Sequence, residues 1–543
     1  MEDGKGLART AMPQVAGEAG GPLVKVADLD DLAPTGLKVV KVGRKQIVLF
    51  RTETGIYACN NRCPHEGYPL AEGHIADGCV LTCNWHNWKF DLESGETLIG
   101  GDRLRRYPVA VTGGEVWLDV SNPPAGETIA RALENLHDCF RNEETIRMAR
   151  ELARLQRAGG DPLDAVRAAF AWTHDRLEFG AQHSQGAAAD WLALRARHAR
   201  DDAERLAALI EIIGHLCYDT LREPSYPYSQ ARAAYAPENL VAAIEAEDED
   251  AAVAQIRGGL AEGVGVAGLE RPLCRAALAH YNDFGHSLIY VVKTGELIAR
   301  LGEASAEPLL LALVRALVNA FREDLIPEFR SYADALAAWD GSGAARPAAE
   351  DFIRLNTRRA MALAVEASGD PQRLYRVLLE AGAWNMLHFD LSYQARIDGP
   401  ISQNVGWLSF THHITFANAV RVACGRYPEL WPQGLLQMAC FVGRNAAYVD
   451  RDLDASQWRV GEPAAFLESR LRGLFDHGQP EYIVSSHLMK ILAATEAEVA
   501  AAPQAAFVPV LLAAVNRFLA SPLKRRHGLR SARQALDFVA IED

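Results

Sequence analysis

Two short runs carry the residues best suited to hold a redox metal centre. They are Cys63-Pro-His65 and, 17 residues further on, Cys83-Asn-Trp-His86. Each run offers one thiolate and one imidazole. Two thiolates can hold one iron of a [2Fe-2S] cluster while two neutral imidazoles hold the other, and the exchange of thiolate for imidazole raises the reduction potential. A Cys and a His from each of two short loops would pinch such a cluster from both sides. Two Cys and two His also suit tetrahedral zinc. Zinc ribbons and fingers favour Cys-x-x-Cys pairs, however, and the first run here is Cys-x-His. Cys59 and Cys79 lie four residues before each ligand Cys and read as small core residues.

A second group of candidates lies further along the chain. His183, His286, the pair His412-His413, and His487 all sit in unusually apolar stretches. His487 and Lys490 are spaced i, i+3 and share one helical face. A single buried histidine on a helix is more often a hydrogen-bonded core residue than a ligand. Four of them beside a redox domain favour another reading, in which four helices each offer one inward imidazole to a non-haem iron. His198 and His527 lie in basic runs and read as surface residues, as do His74 and His137 in loop and surface settings. His174, His215, His388 and His477 read as structural. Trp384, Phe389, Tyr393, Trp407 and Phe410 surround the third histidine and could line an apolar pocket or simply fill a core.

The elements that must position these residues change character along the chain. Residues 22–121 read as short antiparallel strands: 37–42, 46–50, 55–58, 88–92, 107–111 and 115–120, with Gly100-Gly101 and Gly113-Gly114 as turns. Residues 121–127 (Ser-Asn-Pro-Pro-Ala-Gly-Glu) read as a linker. Helical periodicity then dominates from residue 122 to 543. Helices are predicted over 128–157, 161–178, 185–217, 238–262, 272–301, 306–322, 349–367, 371–382, 405–424, 432–448, 462–476, 481–500, 504–520 and 529–541. A soft boundary near Gly341 would divide the helical part into two lobes. The chain therefore reads as multidomain, a small all-β domain followed by a large all-α domain that holds a catalytic metal site.

The first run resembles the Rieske iron–sulfur domain family over about residues 22–121. Pro64, Gly67, Gly73 and the sequence from Trp85-His86 through Phe90-Asp91 to Gly95 all match. The resemblance implies a [2Fe-2S] cluster held by Cys63, His65, Cys83 and His86. Respiratory members carry an extra Cys in each cluster loop, joined as a disulfide. Tyr68 and Trp85 stand there instead, which points to the soluble ferredoxin and oxygenase branch. Rieske oxygenases pair the cluster with an iron held by an Asp-x-x-His-x4-His run in a mixed α/β domain. That run is absent. The nearest fragment is Asp283-x-x-His286, with His280 upstream.

The helical part resembles the questin oxidase-like family at motif level, through His286-Ser-Leu-Ile, the run from His412 through Ile414-Thr415 to Arg421, and His487-x-x-Lys490. These all-helical enzymes act oxidatively on aromatic polyketides and quinones. The resemblance implies a mononuclear non-haem iron with mostly histidine ligands, His412 rather than His413 among them. It also gives Lys490 a role, because a deprotonated or carboxylated lysine offers a lone pair. The metal set is thus His183, His286, His412, His487 and Lys490, with His183 the poorest match to the pattern.

Composition narrows the function. A chain of 543 residues exceeds one core, and 49% hydrophobic and 23% charged residues are ordinary for a globular protein. The net charge of −14 argues against a nucleic-acid partner. Nine Cys in this length do not make a disulfide framework. Residues 1–21 are polar and Gly/Ala-rich, expected to be disordered and without a signal peptide. No run reaches the ~18 apolar residues of a membrane span, so a cytoplasmic location is expected.

The function expected from these observations is an oxidoreductase of the oxygenase type. A ferredoxin or reductase would reduce the cluster. The cluster would pass electrons to the helical iron, for O2-dependent oxidation of an apolar or aromatic small molecule. A di-iron helical oxidase would need inward carboxylates, ideally in Glu-x-x-His pairs, and the nearest candidates, Glu178 with His183, Asp283 with His286, and Glu296, do not have that spacing. An electron carrier with a helical partner-binding domain is the third reading. Oligomeric state is not legible.

Overall fold

The computed structural model describes residues 22–521 and 527–542. The disorder expected for residues 1–21 lies outside them. Eleven strands come first: β1 (Leu23–Asp28), β2 (Leu37–Val42), β3 (Lys45–Arg51), β4 (Ile56–Asn60), β5 (His74–Ala76), β6 (Val80–Thr82), β7 (Lys89–Asp91), β8 (Thr97–Ile99), β9 (Arg106–Tyr107), β10 (Val109–Thr112) and β11 (Glu115–Asp119). They pair antiparallel into three sheets, ordered β1-β11-β10, β2-β3-β4-β9 and β5-β6-β7-β8. Three-residue strands such as β5, β6 and β8 hold too few alternating positions to be read from sequence.

β3 holds the small domain together. Ile47, Val48, Leu49 and Phe50 are all buried. Side chains alternate across a strand, so these four serve two cores. Ile47 and Leu49 enter one core with Leu32, Val116 and Leu118. Val48 and Phe50 enter the other with Leu81, Trp88, Phe90 and the predicted ligands Cys63 and Cys83. Each such side chain is worth ~1.5–3 kcal/mol when fully buried. The strand therefore anchors the base of both ligand loops.

The chain divides into two compact units, with the break between Pro162 and Leu163. The first unit takes two helices with the sheets, α1 (Ala125–Arg141) and α2 (Thr145–Arg157). The sequence predicts one helix over 128–157. The chain instead reverses at Asn142-Glu143-Glu144, where Glu143 adopts φ 57°.

The second unit is helical throughout the described residues. Several of its predicted helices are divided, whereas the one predicted over 371–382 runs on to Leu387. The stretch 185–217 is two helices, His183–His198 and Asp202–Thr220, and 238–262 is Pro237–Glu245 and Glu249–Ala261. Neither link contains Gly or Pro. Asp201 and Asp248 start the second helix of each pair by accepting from the Glu204 and Ala251 backbone N–H groups. The stretch 272–301 breaks at residues 280–285, and Pro272 lies inside the helix Gly265–Ala279 rather than at its start. The boundary considered near Gly341 does not divide the unit. There Gly343 and Gly369 are joined by a backbone hydrogen bond of 2.9 Å. No helix among the described residues is long and apolar enough to cross a membrane.

Candidate metal centres

The two ligand loops of the first unit repeat one backbone pattern. Cys63 N–H donates to the Tyr68 carbonyl at 2.8 Å, and Gly67 N–H returns to the Cys63 carbonyl at 2.8 Å. Likewise Cys83 N–H donates to the Trp88 carbonyl at 2.8 Å, and Asn87 N–H returns to the Cys83 carbonyl at 2.9 Å. The fifth residue of each loop is left-handed, Gly67 at φ 83° and Asn87 at φ 60°. Gly and Asn are the residues that tolerate this conformation.

The loops bring the four predicted ligands together. Cys63 and Cys83 are 3% and 1% exposed and belong to one buried core. Burial pushes the Cys63 thiol up to about 12. A buried thiol of this kind becomes a thiolate only against a metal. The His65 and His86 rings meet edge-on at 4.6 Å. Their Nε2 atoms face Glu66 at 4.0 and 3.7 Å, and the buried His65 Nδ1 has no hydrogen-bond partner. Burial holds His65 below the ordinary imidazole range, so it offers a lone pair at neutral pH. Two thiols and two imidazoles are the donor set a [2Fe-2S] centre of the mixed-ligand kind requires. Cys59 is fully buried in the core, and Cys79 donates to Asp91 at 3.3 Å.

The second candidate set also converges. His183 and His286 are the first residues of the helices His183–His198 and His286–Leu301; His412 and His487 lie in Leu408–Arg426 and Tyr482–Ala501. His286 Nε2 lies 3.2 Å from His183 Nε2 and 2.9 Å from His412 Nε2. His487 Nε2 lies 3.5 Å from His412 Nε2. The ring centres form a closed quadrilateral with sides of 4.8, 4.5, 5.0 and 4.8 Å. The ligand atoms of His183, His412 and His487 all lie within 4.8 Å of one another.

The tautomers follow from the partners of the other ring nitrogens. Nδ1 of His286, His412 and His487 faces the backbone carbonyls of Asp283, Leu408 and Ile483 at 2.6, 2.5 and 2.6 Å. A carbonyl only accepts, so each Nδ1 carries the proton and each Nε2 keeps a lone pair. Burial, with Lys490 the next cause, pushes His286 and His487 down to about 3. His183 and His412 are also held well below the ordinary value, chiefly by burial. Lone pairs facing each other at 2.9 Å repel unless a proton or cation lies between them.

Lys490 is 2% exposed, and its Nζ has no hydrogen-bond partner. Burial pushes it down to about 8. His413 does not join the set. Its ring packs against Gly382 in the helix Pro371–Leu387, so close that a Cβ there would lie 2.4 Å from Cε1.

Several neighbours were not legible in sequence. Tyr290, one turn beyond His286, places its hydroxyl 3.5 Å from His183 Nδ1. The i, i+4 spacing from His286 was the available signal. His215 bonds Ser486 Oγ at 3.0 Å behind His487. Asp283, Phe284 and Gly285 take φ of 43°, 52° and 80° in succession just before His286. Left-handed Phe is uncommon and costly. Phe284 is held there by the His412 ring edge-on at 5.0 Å and by the Arg444 guanidinium at 4.4 Å.

A cavity of about 300 Å³ opens beside His487. Trp407, Leu408 and Phe518 line it together with Glu481 and Arg530. Of the aromatic residues expected to form a pocket, Trp407 lines this one; Phe389 and Phe410 are fully buried core. His527 also lines the cavity. His198, expected at the surface, is instead clasped between Glu468 and Glu496 at 2.8 and 3.1 Å, carboxylates that also pair with its basic neighbours Arg200 and Arg197.

A family model for the Rieske [2Fe-2S] domain matches residues 22–103. The ferredoxin component of the alkene monooxygenase system of Xanthobacter autotrophicus is 32% identical over 19% of this chain and 84% of its own length. The chain belongs to the Rieske family. The 4β-methylsterol monooxygenase of Methylococcus capsulatus is 35% identical over 18% of this chain, which spans only 30% of that relative's length. The solved ferredoxin of carbazole 1,9a-dioxygenase from Nocardioides aromaticivorans is 28% identical, with a TM-score of 0.18, over 19% of this chain and 100% of its own. The Rieske match ends before α1.

As a Rieske centre, the first unit departs from the respiratory pattern at the two positions noted in its sequence. Tyr68 and Trp85 stack face to face across the loops, ring centres 4.0 Å apart and planes 15° from parallel. Trp85 remains 52% exposed and donates its indole N–H to Glu72 at 3.0 Å.

Proposed function

We propose that this chain is an oxidoreductase in which the Rieske cluster supplies electrons to a mononuclear non-haem iron in the helical unit, for O2-dependent oxidation of an apolar or aromatic small molecule. The iron would be held by His183, His286, His412 and His487, with Lys490 as a further donor. One observation carries this reading. Four Nε2 atoms converge, and three of the four rings have Nδ1 committed to a backbone carbonyl. The likeness of the first unit to ferredoxin components of oxygenase systems supports it.

When bound, iron supplies the oxygen chemistry and the cluster supplies single electrons. The chain does the rest. Backbone carbonyls fix the imidazole tautomers of His286, His412 and His487. Lys490 must lose its proton to offer a lone pair, and burial already favours that. Trp407 and Phe518 present an apolar wall to a substrate entering beside His487, and Arg530 with Glu481 supplies polar contacts. A ferredoxin or reductase would deliver electrons to the cluster, in the cytoplasm. The di-iron alternative is less favoured, since its sequence candidate Asp283 lies 4.0 Å from His286 on the Nδ1 side, away from Nε2.

Iron and acid-labile sulfide, counted per chain on anaerobically purified protein, test the proposal. Three irons and two sulfides are expected, with one iron retained in a Cys63→Ser, Cys83→Ser variant. Two irons and two sulfides, with none retained, would leave an electron carrier. Four irons would favour the di-iron oxidase.

A further inference from the structure

The α1–α2 hairpin lies beyond residue 103, where the Rieske match ends. It nevertheless reaches the first ligand loop through two arginines of α2. Arg147 is 3% exposed. Its Nε donates to Asp102 at 3.1 Å, and its guanidinium also pairs with Glu144. The guanidinium carbon sits 5.6 Å from the Trp88 ring centre. Trp88 in turn stacks on His65, centres 4.7 Å apart and planes 14° from parallel. Arg150 donates to the carbonyl of Pro64, the residue between Cys63 and His65.

The contact leaves no room for looser packing. A Cβ at Gly100 would fall 2.4 Å from the Trp88 ring, and one at Gly101 would fall 2.3 Å from the Arg147 guanidinium. Gly100-Gly101 is therefore more than a turn. It is the gap through which arginine, indole and imidazole stack.

We propose that Arg147 and Arg150 are positioning residues for the Rieske centre. Arg147 fixes the orientation of the His65 ring through Trp88. Arg150 holds the Cys63-Pro64-His65 loop and places positive charge beside the centre, which raises its reduction potential. Reduction adds one negative charge to the cluster, so a nearby cation favours the reduced form. Arg147 is matched by the carboxylates of Asp102 and Glu144, so the charge effect falls to Arg150 and the geometric effect to Arg147.

Potentiometric titration of the full chain, followed by the electron paramagnetic resonance signal of the reduced cluster, tests this. Arg150→Gln keeps a donor for the Pro64 carbonyl and removes the charge. It is expected to lower the one-electron reduction constant roughly tenfold, ~59 mV. Arg150→Lys should recover most of that loss. Arg147→Lys keeps the charge and loses the planar fork, so it should shift the g-values of the signal with a smaller change in potential. Should Arg147→Lys fail to hold the cluster, the Arg150 pair decides alone. An Arg150→Gln potential equal to that of the wild type would overturn the proposal. A wild-type chain without the signal would overturn the cluster assignment and this inference with it.

Discussion

His412 and His413 are consecutive on one helix and serve different parts of the molecule. Successive residues are turned by about 100°. His412 therefore meets His286 at 2.9 Å, while His413 enters the contact with Gly382. His412→Ala is expected to abolish the iron that survives cluster removal. His413→Leu is expected to retain that iron, at a stability cost of about 1–3 kcal/mol from imperfect core packing. Metal analysis of both variants in the Cys63→Ser, Cys83→Ser background separates them. Iron lost equally from both would remove His412 from the ligand set.

The left-handed turn before His286 makes a second prediction. Gly285 has φ 80°, and a Cβ there would fall 2.8 Å from Phe416. Gly285→Ala should destabilise the helical unit by about 1–3 kcal/mol and loosen His286. The expected readout is faster loss of the helical iron to a chelator. Unchanged iron retention would show that the turn does not aim the histidine.

In the first unit, Gly100 approaches the Trp88 ring with φ 126°. Gly100→Ala forces the indole from its place. A loss of about 1–3 kcal/mol is expected in denaturant titrations followed by cluster absorbance, with the helical unit unaffected. Coincident weakening of both units would refute a local effect.

Glu151 gives a pH dependence whose sign is fixed. Burial raises its carboxyl from 4.5 to about 7, with Arg154 and Arg147 opposing and Asp102 reinforcing the shift. Between those pH values the folded chain binds a proton that the unfolded chain has released. Stability of the first unit therefore falls as pH rises from about 4.5 to about 7. Glu151→Gln should flatten that slope and leave the unit more stable than the wild type above pH 7. A pH profile unchanged by the substitution would assign the slope to other groups.

The proposed cluster ligands could be picked out in the sequence because the chemistry that suggests them is local. Cys63 to His65 and Cys83 to His86 each lie on one short loop, and residue type with spacing specifies them. The helical set was legible only as separate histidines in apolar surroundings. Their contacts join residues 103, 126 and 75 positions apart, and no local pattern encodes such closure. Arg147 and Arg150 were invisible for a different reason. On an amphipathic helix they look like an ordinary polar face, and only the docking of that helix on Trp88 and Pro64 gives them a task. Helix ends failed where an Asp cap replaced the expected Gly or Pro, as at Asp201 and Asp248.

The stack of Tyr68 on Trp85 has a consequence for how this protein is made. A covalent bridge between the cluster loops would need an oxidant to form and would be severed by thiol reductants. Two aromatic faces part and rejoin without any change of oxidation state. The contact between the two loops therefore forms as the chain folds, with no oxidation step.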